Sequence, residues 1–360
     1  MKCGLAQPLR RFLITCLAIA GFVVSSCGPD SPEPMGPPSG LNPGIGTQPP
    51  DLTQALAAQA RHTDRLLRVQ GVVGTAVGLG SSGQAEIQLF LEGPGVSGLP
   101  ASLDGVPVSV VVTGEIRAIP GMTDAPAWPM GGSRADPTGP FSRPVPIGVS
   151  TGSQAQCLVG TIGARVKSGT ATYALSNNHV YALENTVPLG SNVLQPGRAD
   201  LNCASGSNAV LGSLSKFVPI QFSTSAKNRV DAAIAAATTA NLARSTPSDG
   251  YGTPSATIAA AALNQTVQKY GRTTGLTTGT VVGLNTILNV GYRSGTARFV
   301  GQITIRSRGQ FSRAGDSGAL IVDANKRPVG LLFAGSLNGY TFANQIGDVL
   351  RALQVSIDGN

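Results

Sequence analysis

The sequence is poor in charge: 12% of its 360 residues are Asp, Glu, Lys or Arg, against about 25% in an ordinary globular chain. Long solvated helices, which depend on such residues, are therefore not expected. Aromatic residues are also few, at 5% with a single tryptophan, Trp128. The basic excess of +8 is scattered and forms no Lys/Arg cluster interleaved with aromatics, which argues against nucleic acid as a partner. No apolar run is long enough to cross a bilayer as a helix, which takes about 20 residues; the longest, from Phe12 to Val24, falls short. Repeats of a fixed 20 to 50 residues are absent. Histidine occurs twice, at His62 and His179, so any chemistry that needs an imidazole has few places to be.

Glycine and proline, in contrast, are plentiful at 47 and 25 residues. With so little charge, that profile predicts a mainly β chain of short strands and turns. The first stretch reads as an export signal over 1–26: a basic start with Lys2, Arg10 and Arg11, the apolar run, then small residues. Loss of those three cations would take the net charge from +8 to +5. The ending Val24-Ser25-Ser26-Cys27 resembles a bacterial lipobox, whose cysteine becomes the lipidated first residue of the mature chain. Gly28 in place of Asp after that cysteine favours the outer membrane. The expected partner at this end is thus a membrane, reached through a lipid anchor. Of five cysteines, Cys3 and Cys16 leave with the signal and Cys27 takes lipid, so Cys157 and Cys203 remain to pair in an oxidising compartment. Such a bridge would close a loop around His179, which stabilises by about 4 kcal/mol.

Residues 27–50 contain eight Pro and five Gly over 28–50 and almost nothing to bury, which predicts a disordered tether. From Asp51, a plausible N-cap, residues Leu52, Leu56, Ala60, Thr63 and Leu67 recur at helical spacing. Strands are predicted at 72–77, 86–92 and 106–113, the last continuing over 116–119. Together they make a small N-terminal α/β domain over 51–120, in which His62 is read as a surface residue. Residues 121–145 form a proline-rich linker. Over 146–360 many short strands follow, without helices between them until Ile346, Val349, Leu350 and Leu353 restore helical spacing. Closed β-barrels are the expected outcome.

One stretch in that region points to chemistry: Gly315-Asp316-Ser317-Gly318-Ala319. A serine attacks usefully at neutral pH only if a base takes its proton and fixed donors receive the charge formed on the substrate. His179, in Leu175-Ser176-Asn177-Asn178-His179 at the exit of a predicted strand, is the available base. Asp231 stands alone in the apolar run Val230-Asp231-Ala232-Ala233-Ile234. A carboxylate buried there needs a partner, whereas Asp200 and Asp249 lie in polar turns that solvation explains.

The order His, Asp, Ser with these three motifs resembles the trypsin-like serine proteases of the chymotrypsin fold over about 146–360. The segment Lys269-Tyr270-Gly271-Arg272-Thr273-Thr274-Gly275 is similar to a bacterial branch and to plant narrow-leaf trypsin-like peptidases. The resemblance implies a two-barrel chymotrypsin-like fold and a secreted endopeptidase acting on protein or peptide substrates, with neither metal nor organic cofactor. It makes Ser317 the nucleophile, His179 the base and then acid, Asp231 the orienter of His179, and the amides of Gly315 and Ser317 an oxyanion hole. Oligomeric state is left open.

Three departures from the family pattern accompany it. Proteolytic activation in the family frees an Ile or Val amino terminus that pairs with the Asp before the nucleophile, yet Arg143 here precedes Pro144, so Asp316 must find another partner. Phe333 stands where the family carries a serine that bonds the catalytic Asp. Phe311 stands where trypsin has its pocket acid, and with Phe333 and Gly335 it implies a substrate pocket for small or apolar side chains. An alternative class is a weakly active or inactive protease-fold lipoprotein that binds a partner, and in either class 51–120 is a candidate folding assistant or inhibitor.

Overall fold

In the computed structural model, residues 50–118, 135–204 and 209–360 are described. The signal, Cys27, the tether and most of the linker lie outside them. The described chain is mainly β, in two curled sheets.

The first sheet orders Ser356–Ile357, Ala164–Ser168, Ala171–Ser176, Ala233–Ala237, Val210–Phe217, Asn192–Leu194, Ser150–Ser153 and Gly160–Thr161. Its interior is filled by small and branched residues such as Ile147, Val149, Val193, Leu211 and Leu214, with Tyr181 the largest. In the second sheet, Thr266–Gly271, Leu320–Asp323, Pro328–Ser336, Thr341–Gln345, Gly295–Arg306 and Gly275–Tyr292 pair in a ring that closes when the last returns to the first. Val281, Ile303, Ile305, Phe311 and Ile321 pack inside it. Between the two sheets, Val166, Leu175 and Ile234 of one meet Tyr270, Leu320 and Leu331 of the other, and the helix Ile346–Leu353 covers that seam with Ile346, Val349 and Leu353.

The helix Pro50–Leu66 and the strands Val72–Leu79, Ala85–Leu91 and Val106–Val112 form as the periodicity predicts. The buried helical face is carried by Leu52, Ala55, Gln59, Thr63 and Leu66, while Ala60 is exposed. These strands do not form a separate sheet. Val72–Leu79 pairs antiparallel with Gly275–Tyr292, for example Gly74 with Leu288, so the second sheet runs on into the N-terminal strands. That explains Phe90, an apolar ring in strand alternation with Glu86 and Gln88. Ile87 and Leu89 face the helix, whereas Phe90 is fully buried against Tyr340 and Phe342 of the second barrel.

Two elements differ from the sequence reading. Among the short strands expected over 146–360, one runs unbroken from Gly275 to Tyr292 and returns from Gly295, making a long hairpin. Its sequence pattern is interrupted because Asn285 is left-handed (φ +48°) and the pairing shifts register there; Gln59 of the helix secures it, donating to the Asn285 carbonyl at 3.1 Å and accepting from its side chain at 3.0 Å. The segment after residue 113 also departs. Rather than prolonging its strand, Ile116–Arg117 crosses to the second barrel and pairs with Gly335 and Ser336.

Candidate functional site

His179 lies in the short helix Asn178–Tyr181 that ends the strand Ala171–Ser176, and Asp231 lies two residues before the strand Ala233–Ala237, which pairs with it. The pairing brings the side chains together: His179 Nδ1 is 2.6 Å from Asp231 Oδ2, and neither side chain is exposed. A carboxylate without solvent is tolerable only when donors surround it. Here the His179 amide donates to Oδ1 at 3.2 Å and the Tyr292 hydroxyl to Oδ2 at 2.9 Å. The neighbouring backbone is fixed as well. Asn177 Nδ2 donates to the Asp231 carbonyl at 2.7 Å, and the Asp231 amide donates to Asn344 Oδ1 at 2.9 Å. With Nδ1 facing the carboxylate, Nε2 is the imidazole's remaining nitrogen; it is buried and makes no hydrogen bond among the described residues.

Ser317 belongs to the second barrel, in the turn before Leu320–Asp323. Its turn is built on two glycines with φ +93°, Gly315 and Gly318. A Cβ on Gly315 would collide with Thr273 Oγ1, and one on Gly318 with Ser176 Oγ. The amides of Asp316, Gly318 and Ala319 donate to backbone carbonyls, whereas those of Gly315 and Ser317 donate to none among the described residues. The first barrel grips the turn through Gly160–Thr161. The Thr161 amide donates to the Ser317 carbonyl at 2.8 Å, and Thr161 Oγ1 to that of Gly315 at 2.9 Å. A Cβ on Gly160 would stand 3.0 Å from the Ser317 carbonyl and 2.6 Å from Val180, the neighbour of His179. The serine turn and the histidine helix therefore both pack where a side chain on this one glycine would stand.

Asp316 has the substitute partner that the sequence required. Its Oδ1 accepts from the amides of Thr273 and Thr274 at 2.8 and 3.1 Å, its Oδ2 from Thr274 Oγ1 and the Arg313 amide at 2.7 and 2.9 Å, and Lys269 Nζ lies 3.5 Å away. Burial pulls the Lys269 ammonium below its ordinary pKa, and Asp316 opposes that pull. Asp200 is not a solvated turn residue: it is paired with Arg272 and nearly buried. Cys157 and Cys203 form the expected disulfide, with Cα atoms 5.1 Å apart.

A cavity of about 260 Å³ opens beside Ser317, lined among others by Ser312, Arg313, Ala314, Gly335 and Tyr340. Phe311 and Phe333, expected in this pocket, lie elsewhere. Phe311 is in the core of the second barrel under Lys269, and Phe333 packs against Phe299 with ring centroids 4.8 Å apart; large apolar rings gain more from the core than from a wet cleft. The cavity's other wall belongs to the N-terminal part. Arg117 pairs antiparallel with Gly335 and Ile116 with Ser336, and Glu115 and Arg117, joined by an ion pair of 2.6 Å, also line the cavity. His62, on the helix, contacts both carboxylate oxygens of Asp104 at 3.1 Å and is remote in role from this cleft. Among the described residues no group of three or more His, Cys, Asp or Glu side chains could hold a metal ion.

Sequence reasoning missed Tyr292, Lys269, Asn344 and the Ile116–Arg117 strand. The one signal available was Lys269, a cation at strand alternation with the apolar Val267, whose burial there would demand an acid.

No protein-family model matches the chain, and no curated protein sequence does. Solved structures similar to it are bacterial serine proteases. A glutamic acid-specific serine protease that uses a histidine triad in substrate binding is 20% identical, over 59% of this chain and 100% of that one, with a TM-score of 0.42. Protease A of Thermobifida fusca is 20% identical over 60% of this chain and 98% of its own, at 0.44, and the chymotrypsin of Cellulomonas bogoriensis is 20% identical over 60% and 99%, at 0.42.

Proposed function

We propose that the chain is a serine endopeptidase, a reading carried by the buried 2.6 Å contact of His179 with Asp231 beside the two-glycine turn of Ser317. Ser317 Oγ attacks the carbonyl carbon of a peptide bond while His179 Nε2 takes its proton. Asp231 holds the imidazole by Nδ1 and stabilises the imidazolium. The oxyanion is received by the Gly315 and Ser317 amides, which no acceptor among the described residues claims. Collapse expels the amine, which collects its proton from His179, and water then releases the acyl group by the same steps in reverse. The cavity beside Gly335 takes the side chain preceding the scissile bond.

A second observation favours a chain that is held off until it is processed. Ile116–Arg117 lies along the strand Pro328–Ser336 next to Ser317, where an extended substrate adds by main-chain pairing. Residues 51–120 then act as an intramolecular inhibitor as well as a scaffold. We further propose that the protein is exported and carried on the outer membrane through lipid on Cys27.

Hydrolysis of casein tests this directly. The full chain should digest casein slowly before limited cleavage between residues 118 and 135 and faster after it, and Ser317→Ala or His179→Ala should not digest it in either form. A folded wild-type protein that leaves casein intact in both forms favours the partner-binding alternative.

A further inference from the structure

We propose that Tyr292 is a positioning residue for the catalytic pair, a hydroxyl delivered to Asp231 by the tip of a long hairpin and held there by Glu184. The inference rests on the endopeptidase reading above.

The hairpin Gly275–Tyr292 and Gly295–Arg306 belongs to the second barrel, yet its tip ends over the histidine of the first. Tyr292 is its last residue before the turn. The hydroxyl donates to Asp231 Oδ2 at 2.9 Å, the oxygen that also faces His179 Nδ1. The ring stands edge-on to the imidazole at 6.0 Å and 69°, and packs on Phe222 and Phe299. Phe299 is backed in turn by Phe333, the residue whose lack of a hydroxyl set this chain apart from its family. The donor missing on one side of Asp231 is thus supplied from another, and the aromatic side chain at 333 helps to seat the ring that supplies it.

Tip and histidine are latched together. The two turn amides, Arg293 and Ser294, donate to Glu184 Oε1 and Oε2 at 3.1 and 2.7 Å. Glu184 is nearly buried and belongs to a left-handed run, Leu183, Glu184 and Asn185, just after the helix that carries His179. A carboxylate aimed at two consecutive amides fixes a turn by charge-assisted bonds. Such a run of positive φ in non-glycine residues is strained and persists where the surroundings enforce it. Burial and the Asp231 charge hold the Tyr292 phenol well above its ordinary pKa, so it stays a donor.

The sign of the effect follows. A donor on Oδ2 draws off part of the charge that stabilises the imidazolium, and it fixes the carboxylate's rotation. Glu184 and Arg293 are the other charged groups lining the cleft at His179, and both remain when only the hydroxyl is removed. Tyr292→Phe in the full chain should therefore move the titration of His179 to higher pH. It should also slow labelling of Ser317 by a fluorophosphonate about tenfold or more, the usual scale for one hydrogen bond to a charged group. His179 is followed by NMR, with His62 as the internal reference, and labelling by rate against pH, whose acid limb should move up with the imidazole. An unchanged His179 titration and an unchanged rate in Tyr292→Phe overturn the proposal. If the wild type is never labelled, the endopeptidase reading fails, while the titration still decides for or against Tyr292. Tyr292→Leu serves as the second variant: it removes the ring too, and a titration equal to wild type there contradicts the proposal as well.

Discussion

Lys269 Nζ lies 3.5 Å from Asp316 Oδ2, and neither side chain reaches solvent. The residue before Ser317 is thereby tied to a cation within the same chain, and the turn that carries Ser317 is assembled around that pair. Lys269→Met should leave Asp316 buried with its amide and hydroxyl donors but no cation. Breaking such a pair from one side typically costs about 3–5 kcal/mol. Urea denaturation should register a loss of that order, and labelling of Ser317 should slow with it; a stability equal to wild type would show that the amides alone suffice.

Gly315→Ala places a side chain where φ is +93° and Thr273 Oγ1 leaves no room. A backbone held in that region by a non-glycine residue costs about 1–3 kcal/mol. If the turn relaxes, its amide leaves the proposed oxyanion site, and loss of one such donor costs about 10²- to 10³-fold in rate. Casein hydrolysis and thermal unfolding measure the two effects separately.

The strand pairing of Arg117 with Gly335 predicts that intact chain is slower than processed chain. Arg117→Pro removes an amide and resists the pairing. Casein hydrolysis by the intact variant should rise several-fold over intact wild type, and a rate that stays the same or falls would contradict inhibition by this segment.

Much of the site was legible because the relevant residue types are rare. With two histidines and one carboxylate in an apolar run, His179 and Asp231 could be paired on paper, and the structure places them 2.6 Å apart. The positive φ of Gly315 and Gly318 is a finding of the structure. Tyr292 was not legible: it is 61 residues from Asp231 and lies beyond a left-handed Asn285 that breaks the strand pattern. Phe311 and Phe333 were misplaced for a related reason. Position in a motif fixes where a residue begins, while burial decides which way a large ring turns. Ile116–Arg117 was read as the end of a strand because two residues carry too little pattern to reveal a change of partner.

The disulfide makes a separate prediction. Replacing Cys157 and Cys203 together by serine should lower stability by about 4 kcal/mol, read from denaturant unfolding. Reduction of the wild type should add two hydrogens to its intact mass; no change on reduction would contradict the bridge.

At the other end of the chain, Cys27→Ser should shift the protein from membranes to the soluble fraction. Retention in the membrane fraction would contradict lipidation at that cysteine.

The most direct test is to treat the folded full-length chain with a fluorophosphonate and map the modified peptide. Adduct on Ser317 that is lost in His179→Ala, and much reduced in Asp231→Asn, is the predicted result, since an activated serine needs both partners. Folded protein with no adduct before or after cleavage between residues 118 and 135, or adduct that forms as fast without His179, would contradict a catalytic Ser317.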